Sequence, residues 1–262
     1  VAQYVAVSTR EASFDVASMA KTSTKVFILE VMGRHAGWIA AAGGLASTSD
    51  SPLPIIILFP EVIFNRKRFI KKVREKVRKC GYCSIVVSEG VKGANGKFLS
   101  DQGLTDAFGH AQLGGVAPVI ANIIKNDLGL KYHWGVADYL QRAARHIASK
   151  VDVDQAYALG ESAVKLAMQG HNAVMPTIER ISDSPYRWQI SSTPLSRVAN
   201  VEKKMPKKFI SNDGFGITPS CERYLKPLIK GEAYPPFKDG LPKYVVLKNK
   251  LVAKKIGMDF KL

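Results

Sequence analysis

The sequence predicts an α/β protein: a doubly wound, mainly parallel sheet with helices on both faces. Three observations lead there. The stretches "KVFILEVM" (25–32), "PIIILF" (54–59) and "CSIVVS" (83–88) are short apolar runs rich in β-branched residues, the pattern of strands buried on both sides. Helical patterns with short joints lie between them, which is the βαβ rhythm of parallel strands with right-handed crossovers. Each run also ends in polar residues that a turn alone does not require: Gly33 with Arg34, Glu61, and Ser88 with Glu89.

Taken in order, residues 2–21 carry helical spacing through Val5, Phe14 and Met19. After the first strand, "GWIAAAGGLA" reads as one helix with a small, close-packing face. Residues 65–80 repeat Phe69, Ile70, Val73, Val77 and Cys80 at intervals of three and four, with Gly81 placed to end the helix. "GANGKFLSDQGLTDAFGHAQLGG" (93–115) is glycine-rich and weakly periodic, as expected of a long functional loop. "APVIANIIKNDLG" is a helix stopped by Gly129, and "LKYHW" (130–134) is strand-like. Residues 152–170 form a helix with Asp152 as N-cap and Gly170 beyond its end. "NAVMPTI" and "YRWQIS" suit strands, and "SCERYLKPLIKG" (220–231) suits one further helix before a wrapping tail. The expected division is a helix at 1–24 belonging to a preceding domain, an α/β domain at 25–199, and a helix with a tail at 200–262.

The 262 residues are 46% hydrophobic and carry a net charge of +16. That is enough apolar surface for a large core, and the charge favours anionic partners. No apolar run is long enough to span a membrane. RNA-recognition aromatics, zinc-finger spacing and a leucine zipper are absent, so the basic stretches 65–79 and 201–208 read as solvated faces and nucleic acid is not an expected partner. Three cysteines do not make a disulfide framework, which points to a reducing cytoplasm. Cys80 closes a helix and Cys83 opens a strand, so their CxxC spacing is expected to hold two buried apolar side chains rather than a redox pair. "VAQYVAVSTREASFD" is neither a signal peptide nor an initiator sequence and reads like the interior of a longer chain.

In an open parallel sheet, ligands bind beyond the carboxyl ends of the strands. Gly33 permits close approach of backbone to a ligand or simply makes the turn. Arg34 offers a bidentate donor suited to phosphate or vicinal hydroxyls. The N–H groups opening the next helix would point to the same spot. Glu89 can accept hydrogen bonds from a polyol, or can serve a turn. "KYHWGVADYLQRAARH" (131–146) mixes Lys131, His133, Tyr139, Arg142, Arg145 and His146, as a phosphate clamp or an amphipathic helix would. His110 lies in the glycine-rich loop with no assignable role. No GxSxG, Walker-type loop, HExxH or Asp-rich segment is present.

"FILEVMGRHAGWIA" resembles the sugar-phosphate segment of the phosphofructokinase family, in which a strand ends in Glu-Val-Met-Gly-Arg. The resemblance continues through "IVVSEG", "ADYLQRAAR" and "DQAYALGESAVKLAMQGHNAVMPTI", and so through essentially the whole chain. "KYHW", "DGFGIT" and "PPFKDGLP" are most like the pyrophosphate-dependent branch. Asp138, Ala143 and Ala144 stand where the family has glycines. The resemblance implies phosphoryl transfer to the 1-hydroxyl of fructose 6-phosphate, from pyrophosphate or alternatively ATP; a non-catalytic sugar-phosphate-binding subunit stays open. It implies that Met32, Gly33 and Arg34 contact the sugar phosphate, that Glu89 holds sugar hydroxyls, and that Arg34 and Arg142 stabilise the moving phosphoryl group. Tyr139 and Lys131 would meet the 6-phosphate, and Lys25 would reach a neighbouring subunit of a homo-oligomer. The family's donor loop, its general-base aspartate and its Mg²⁺ ligands lie upstream of these segments. The chain alone is therefore expected to be inactive and to hold no metal itself.

Overall fold

A computed structural model of the chain describes residues 1–105, 111–113 and 115–253. In chain order its main elements are α1 (Ala2–Met19), β1 (Val26–Val31), α2 (Trp38–Ala42), β2 (Ile55–Leu58), α3 (Arg66–Cys80), β3 (Cys83–Ser88), β4 (Asp101–Thr105) and β5 (Ala111–Leu113). They continue with α4 (Val116–Leu128), β6 (Tyr132–Val136), α5 (Leu140–Ala143), α6 (Lys150–Met168), β7 (Val174–Asp183), β8 (Tyr186–Pro194) and α7 (Pro219–Leu225).

Four strands form a parallel sheet in the order β2-β3-β1-β6. Because all run the same way, residues 32–34, 59–61, 88–90 and 137–139 emerge along one edge. The pleat sends alternate residues to opposite faces, which is why the apolar runs are continuous. On one face Val26, Ile28, Ile56, Ile85 and Val87 pack under Phe69 and Val73 of α3 and Ile120 and Ile124 of α4. On the other, Leu29, Val31, Ile57 and Val86 pack with Val5 and Ala6 of α1, Ala40 and Ala41 of α2, and Met205, Phe209, Cys221 and Leu225. Helices thus cover both faces, and α1 and the segment after residue 200 share one core.

Several elements differ from expectation. The anticipated single helix at 37–46 is a five-residue α2 followed by a 3₁₀ turn at Gly43–Ala46. There the chain lies so close to β3 that a β-carbon at Gly43 would stand 2.7 Å from Val86. The N-cap of α6 is Ser149, whose Oγ accepts from Asp152 N at 3.2 Å; Asp152 sits in the first turn instead. Cys80 is exposed at the end of α3, where the apolar stripe has rotated into solvent, whereas Cys83 is buried and its thiol is pushed up to about 12 by burial. β7 and β8 pair with each other as an antiparallel hairpin outside the parallel sheet. The stretch expected to be a loop at 93–115 includes the short antiparallel pair β4–β5. His110 and residues 254–262 of the expected tail lie outside the described residues.

Candidate active site

β1 ends at Val31, and the chain then turns through Gly33 with φ +138°. A β-carbon there would approach Ala36 O to 2.7 Å and Ser88 Oγ to 3.0 Å. Ser88 Oγ donates to Gly33 O at 2.6 Å, and Gly33 N donates to Glu89 Oε1 at 3.2 Å. Gly90 lies against the next residue so closely that a β-carbon would fall 1.8 Å from Arg34 O. The tips of β1 and β3 are therefore locked together, and Arg34 and Glu89 are brought to one place.

The tip of β6 joins from the other side. Gln141, 1% exposed, accepts from Met32 N at 3.3 Å and donates to Asp138 O at 2.8 Å. This clamp presents Tyr139 and Arg142 beside Met32, with the Arg142 guanidinium 4.1 Å from the Tyr139 ring centroid. Asp138, which replaces a family glycine, holds φ +37°.

On the β2 side, Glu61 Oε1 accepts from Gly37 N at 2.9 Å and from Met205 N at 3.0 Å. Arg34 opens there onto a cleft shared with His35, Pro60, Glu61, Lys92, Glu202 and Lys204. His35 pairs with Glu202, and Trp38 Nε1 donates to Lys203 O at 2.7 Å, so residues 202–205 strap across the strand tips.

Met32, Gly33, Arg34, Glu89, Tyr139 and Arg142 thus gather at the carboxyl ends. Lys25 and Lys131 do not. They precede β1 and β6, so they stand at the amino ends of the strands, where Lys25 N donates to Lys131 O at 2.9 Å. Lys25 Nζ donates to Ala20 O, and Lys131 Nζ donates to Ser23 Oγ at 2.8 Å. The 6-phosphate contact expected of Lys131 is corrected accordingly: a residue one strand length away cannot share this chain's pocket. The helix N-terminus expected just after Arg34 is also displaced. α2 begins at Trp38, and the N–H groups of Gly33 and Gly37 are already taken by Glu89 and Glu61.

Sequence reading missed Glu30. It is 4% exposed, and its Oε2 accepts from Ala117 N at 2.8 Å at the start of α4. Burial raises its carboxyl above the ordinary range; the backbone N–H groups of Ala117 and Val116 oppose that, and the charges of Glu89 and Asp138 add to it. One ionisable residue inside an otherwise apolar strand was the available signal. Gln141 and Lys204 gave none: one looked like helix surface, the other like a solvated basic run. Among the described residues no three His, Cys, Asp or Glu side chains gather to hold a metal ion.

An open parallel sheet whose strand tips carry two arginines, a tyrosine and a carboxylate defines an α/β domain of the kind that binds ligands beyond the carboxyl ends of its strands. The phosphofructokinase family model matches residues 6–167, and the chain belongs to that family. It is 65% identical over 260 residues to a pyrophosphate–fructose 6-phosphate 1-phosphotransferase of Methylococcus capsulatus, covering 99% of this chain and 62% of the relative. Crystal structures of pyrophosphate-dependent phosphofructokinases from Nitrosospira multiformis (64% identity, TM-score 0.89, 98% of this chain and 61% of that one) and Marinobacter aquaeolei (56%, 0.87, 100% and 62%) share its fold. The chain spans about three fifths of these proteins' length.

Proposed function

We propose that this chain supplies the sugar-phosphate side of a pyrophosphate-dependent phosphofructokinase, which transfers a phosphoryl group from pyrophosphate to the 1-hydroxyl of fructose 6-phosphate in glycolysis. The observation that carries this reading is the meeting of Arg34, Glu89, Tyr139 and Arg142 at three adjacent strand tips. The names of the relatives favour pyrophosphate over ATP as donor.

In this reading the 6-phosphate lies beside Tyr139 and Arg142, and Met32 and Gly33 line the sugar with backbone. Glu89 accepts from sugar hydroxyls, exchanging its bond to Gly33 N for one to the ligand. The bridging P–O bond of pyrophosphate breaks as a bond to O1 forms, and inorganic phosphate leaves. The hydroxyl proton passes to the general-base carboxylate that the family resemblance assigns upstream. Such transfer is mostly positioning and charge stabilisation, and Arg34 and Arg142 contribute both. Mg²⁺, with ligands outside the described residues, would neutralise the donor's charge. Lys25 fits contact with a neighbouring subunit of a homo-oligomer, and a cytoplasmic setting suits the substrates. No helix of the described residues is long and apolar enough to cross a membrane.

The test is turnover by the full-length protein carrying this sequence, assayed with pyrophosphate and then ATP. Pyrophosphate-dependent formation of fructose 1,6-bisphosphate is expected. R34A should lower kcat by about 100-fold or more, as loss of a transition-state charge donor does. Activity with ATP alone would reassign the donor, and activity with neither would overturn the enzymatic reading.

A further inference from the structure

We infer that Gln141 is a positioning residue for fructose 6-phosphate: its buried amide joins the tips of β1 and β6 and so sets where Tyr139 and Arg142 stand relative to Met32 and Arg34. The inference rests on the function proposed above and extends it to a side chain that touches neither substrate.

The ladder between the strands is the starting point. Backbone groups along β1 face its two neighbours in alternation. Val31 O accepts from Glu89 N at 3.0 Å on the β3 side, and Glu30 O accepts from Ala137 N at 2.9 Å on the β6 side. Met32 N is the next donor of the chain that faces β6. It meets a side chain there, because β6 ends at Val136 and the backbone turns away through Asp138 with φ +37°. Gln141 Oε1 accepts from Met32 N at 3.3 Å, and Gln141 Nε2 donates to Asp138 O at 2.8 Å. One primary amide thus supplies a rung of the sheet at the point where the backbones have stopped pairing.

The same turn carries the pair that meets the 6-phosphate. Tyr139 and Arg142 are three residues apart and so share one side of a helical turn. Both are exposed, with the guanidinium lying over the ring. Gln141 points the other way, between the strands, and is 1% exposed. α5 is only four residues long, and a helix that short has little stability of its own. Its place therefore depends on what anchors it below. An apolar side chain at 141 would strip Met32 N and Asp138 O of these partners and free the turn to shift against β1. A shift of about 1 Å between groups that hold one substrate costs as much as 100-fold in rate. An ionised glutamate at 141 would keep the shape and the acceptor, but it has no hydrogen to give Asp138 O.

The experiment uses the full-length protein carrying this sequence, with the variants Q141M and Q141E. Q141M removes both hydrogen bonds at similar volume, and Q141E removes only the one to Asp138 O. Thermal unfolding checks that each variant is folded, and Q141E keeps the question answerable if Q141M is not. The KM for fructose 6-phosphate should rise about tenfold in both variants, while the KM for pyrophosphate moves less than about twofold. A purely structural role predicts a lower unfolding temperature with both KM values unchanged, and that result overturns the inference; so does an equal rise in both. Calorimetric titration with fructose 6-phosphate, without pyrophosphate, separates this inference from the activity itself. Binding by the wild type and about tenfold weaker binding by Q141E support the positioning role even where no turnover is seen. Equal binding by the two overturns it and leaves the proposed function standing. No binding by the wild type overturns the proposed function, and the inference with it.

Discussion

Two glycines set the geometry of the site by having no side chain. At Gly33 the backbone is in a region that L-residues rarely adopt, and at Gly90 the space of a β-carbon is filled by Arg34's carbonyl. G33A should cost about 1–3 kcal/mol. G90A should cost more, since backbone rather than a flexible side chain must move; thermal unfolding that ranks them the other way would refute this. Glu30 gives a pH test. Its carboxyl is raised by burial, so the folded state binds more protons than the unfolded chain between the ordinary value of 4.5 and the raised one. Wild-type stability therefore falls relative to E30Q as pH climbs through that window. Chemical unfolding of both proteins across pH 4 to 7 should show the difference drifting in favour of E30Q; the opposite drift would mean that the amides of α4 hold the carboxylate ionised. These residues mark what a sequence can disclose. Arg34 and Glu89 were legible because each follows an apolar strand where a turn needs no charge. Gln141 was not, because its role depends on β6 lying next to β1, and nothing local to "DYLQR" records that adjacency.

Secondary structure was most legible where periodicity was strong. α3 follows its apolar stripe and closes on Gly81, whose N–H donates to Val77 O at 2.8 Å. Boundaries were less so. "SKVDVD" offers two capping residues, and packing selects the earlier. Ser149 is buried and donates to Leu228 O at 2.7 Å while accepting from Asp152 N, so its hydroxyl serves both the helix and the C-terminal segment. S149A should cost about 2 kcal/mol, through a lost cap and an unsatisfied carbonyl. D152A should cost less than about 1 kcal/mol, through the helix dipole and an exposed ion pair with the Val1 amino group. Equal losses in denaturant titrations would return the cap to Asp152. The split of 37–46 into α2 and a 3₁₀ turn could not be foreseen from a run of alanines and glycines, because the close approach of β3 decides it.

The molecule as a whole is two apolar layers on one sheet, and the segment after residue 200 completes one of them through Met205, Phe209, Cys221 and Leu225. Composition said that a large core was affordable; it did not say that residues 180 or more positions apart would fill it together. A cross-link on the surface shows how that segment is held. Burial would raise the Asp213 carboxyl, but hydrogen bonds from Lys72, Ser211 and Phe215 N outweigh it and hold the group at about 2. The stabilisation is thus present above the ordinary value of 3.8 and is lost as pH falls toward 2. D213N should be less stable than wild type at neutral pH, with the gap closing on acidification; a gap independent of pH would assign the loss to packing.

Glu61 adds one consequence. A single carboxylate oxygen ties the entrance of α2 to Met205, while its other oxygen is buried without a hydrogen-bond partner. The strap and α2 are in effect riveted to the same point, so neither can swing outward while the other stays. Any outward movement of this wall is therefore concerted.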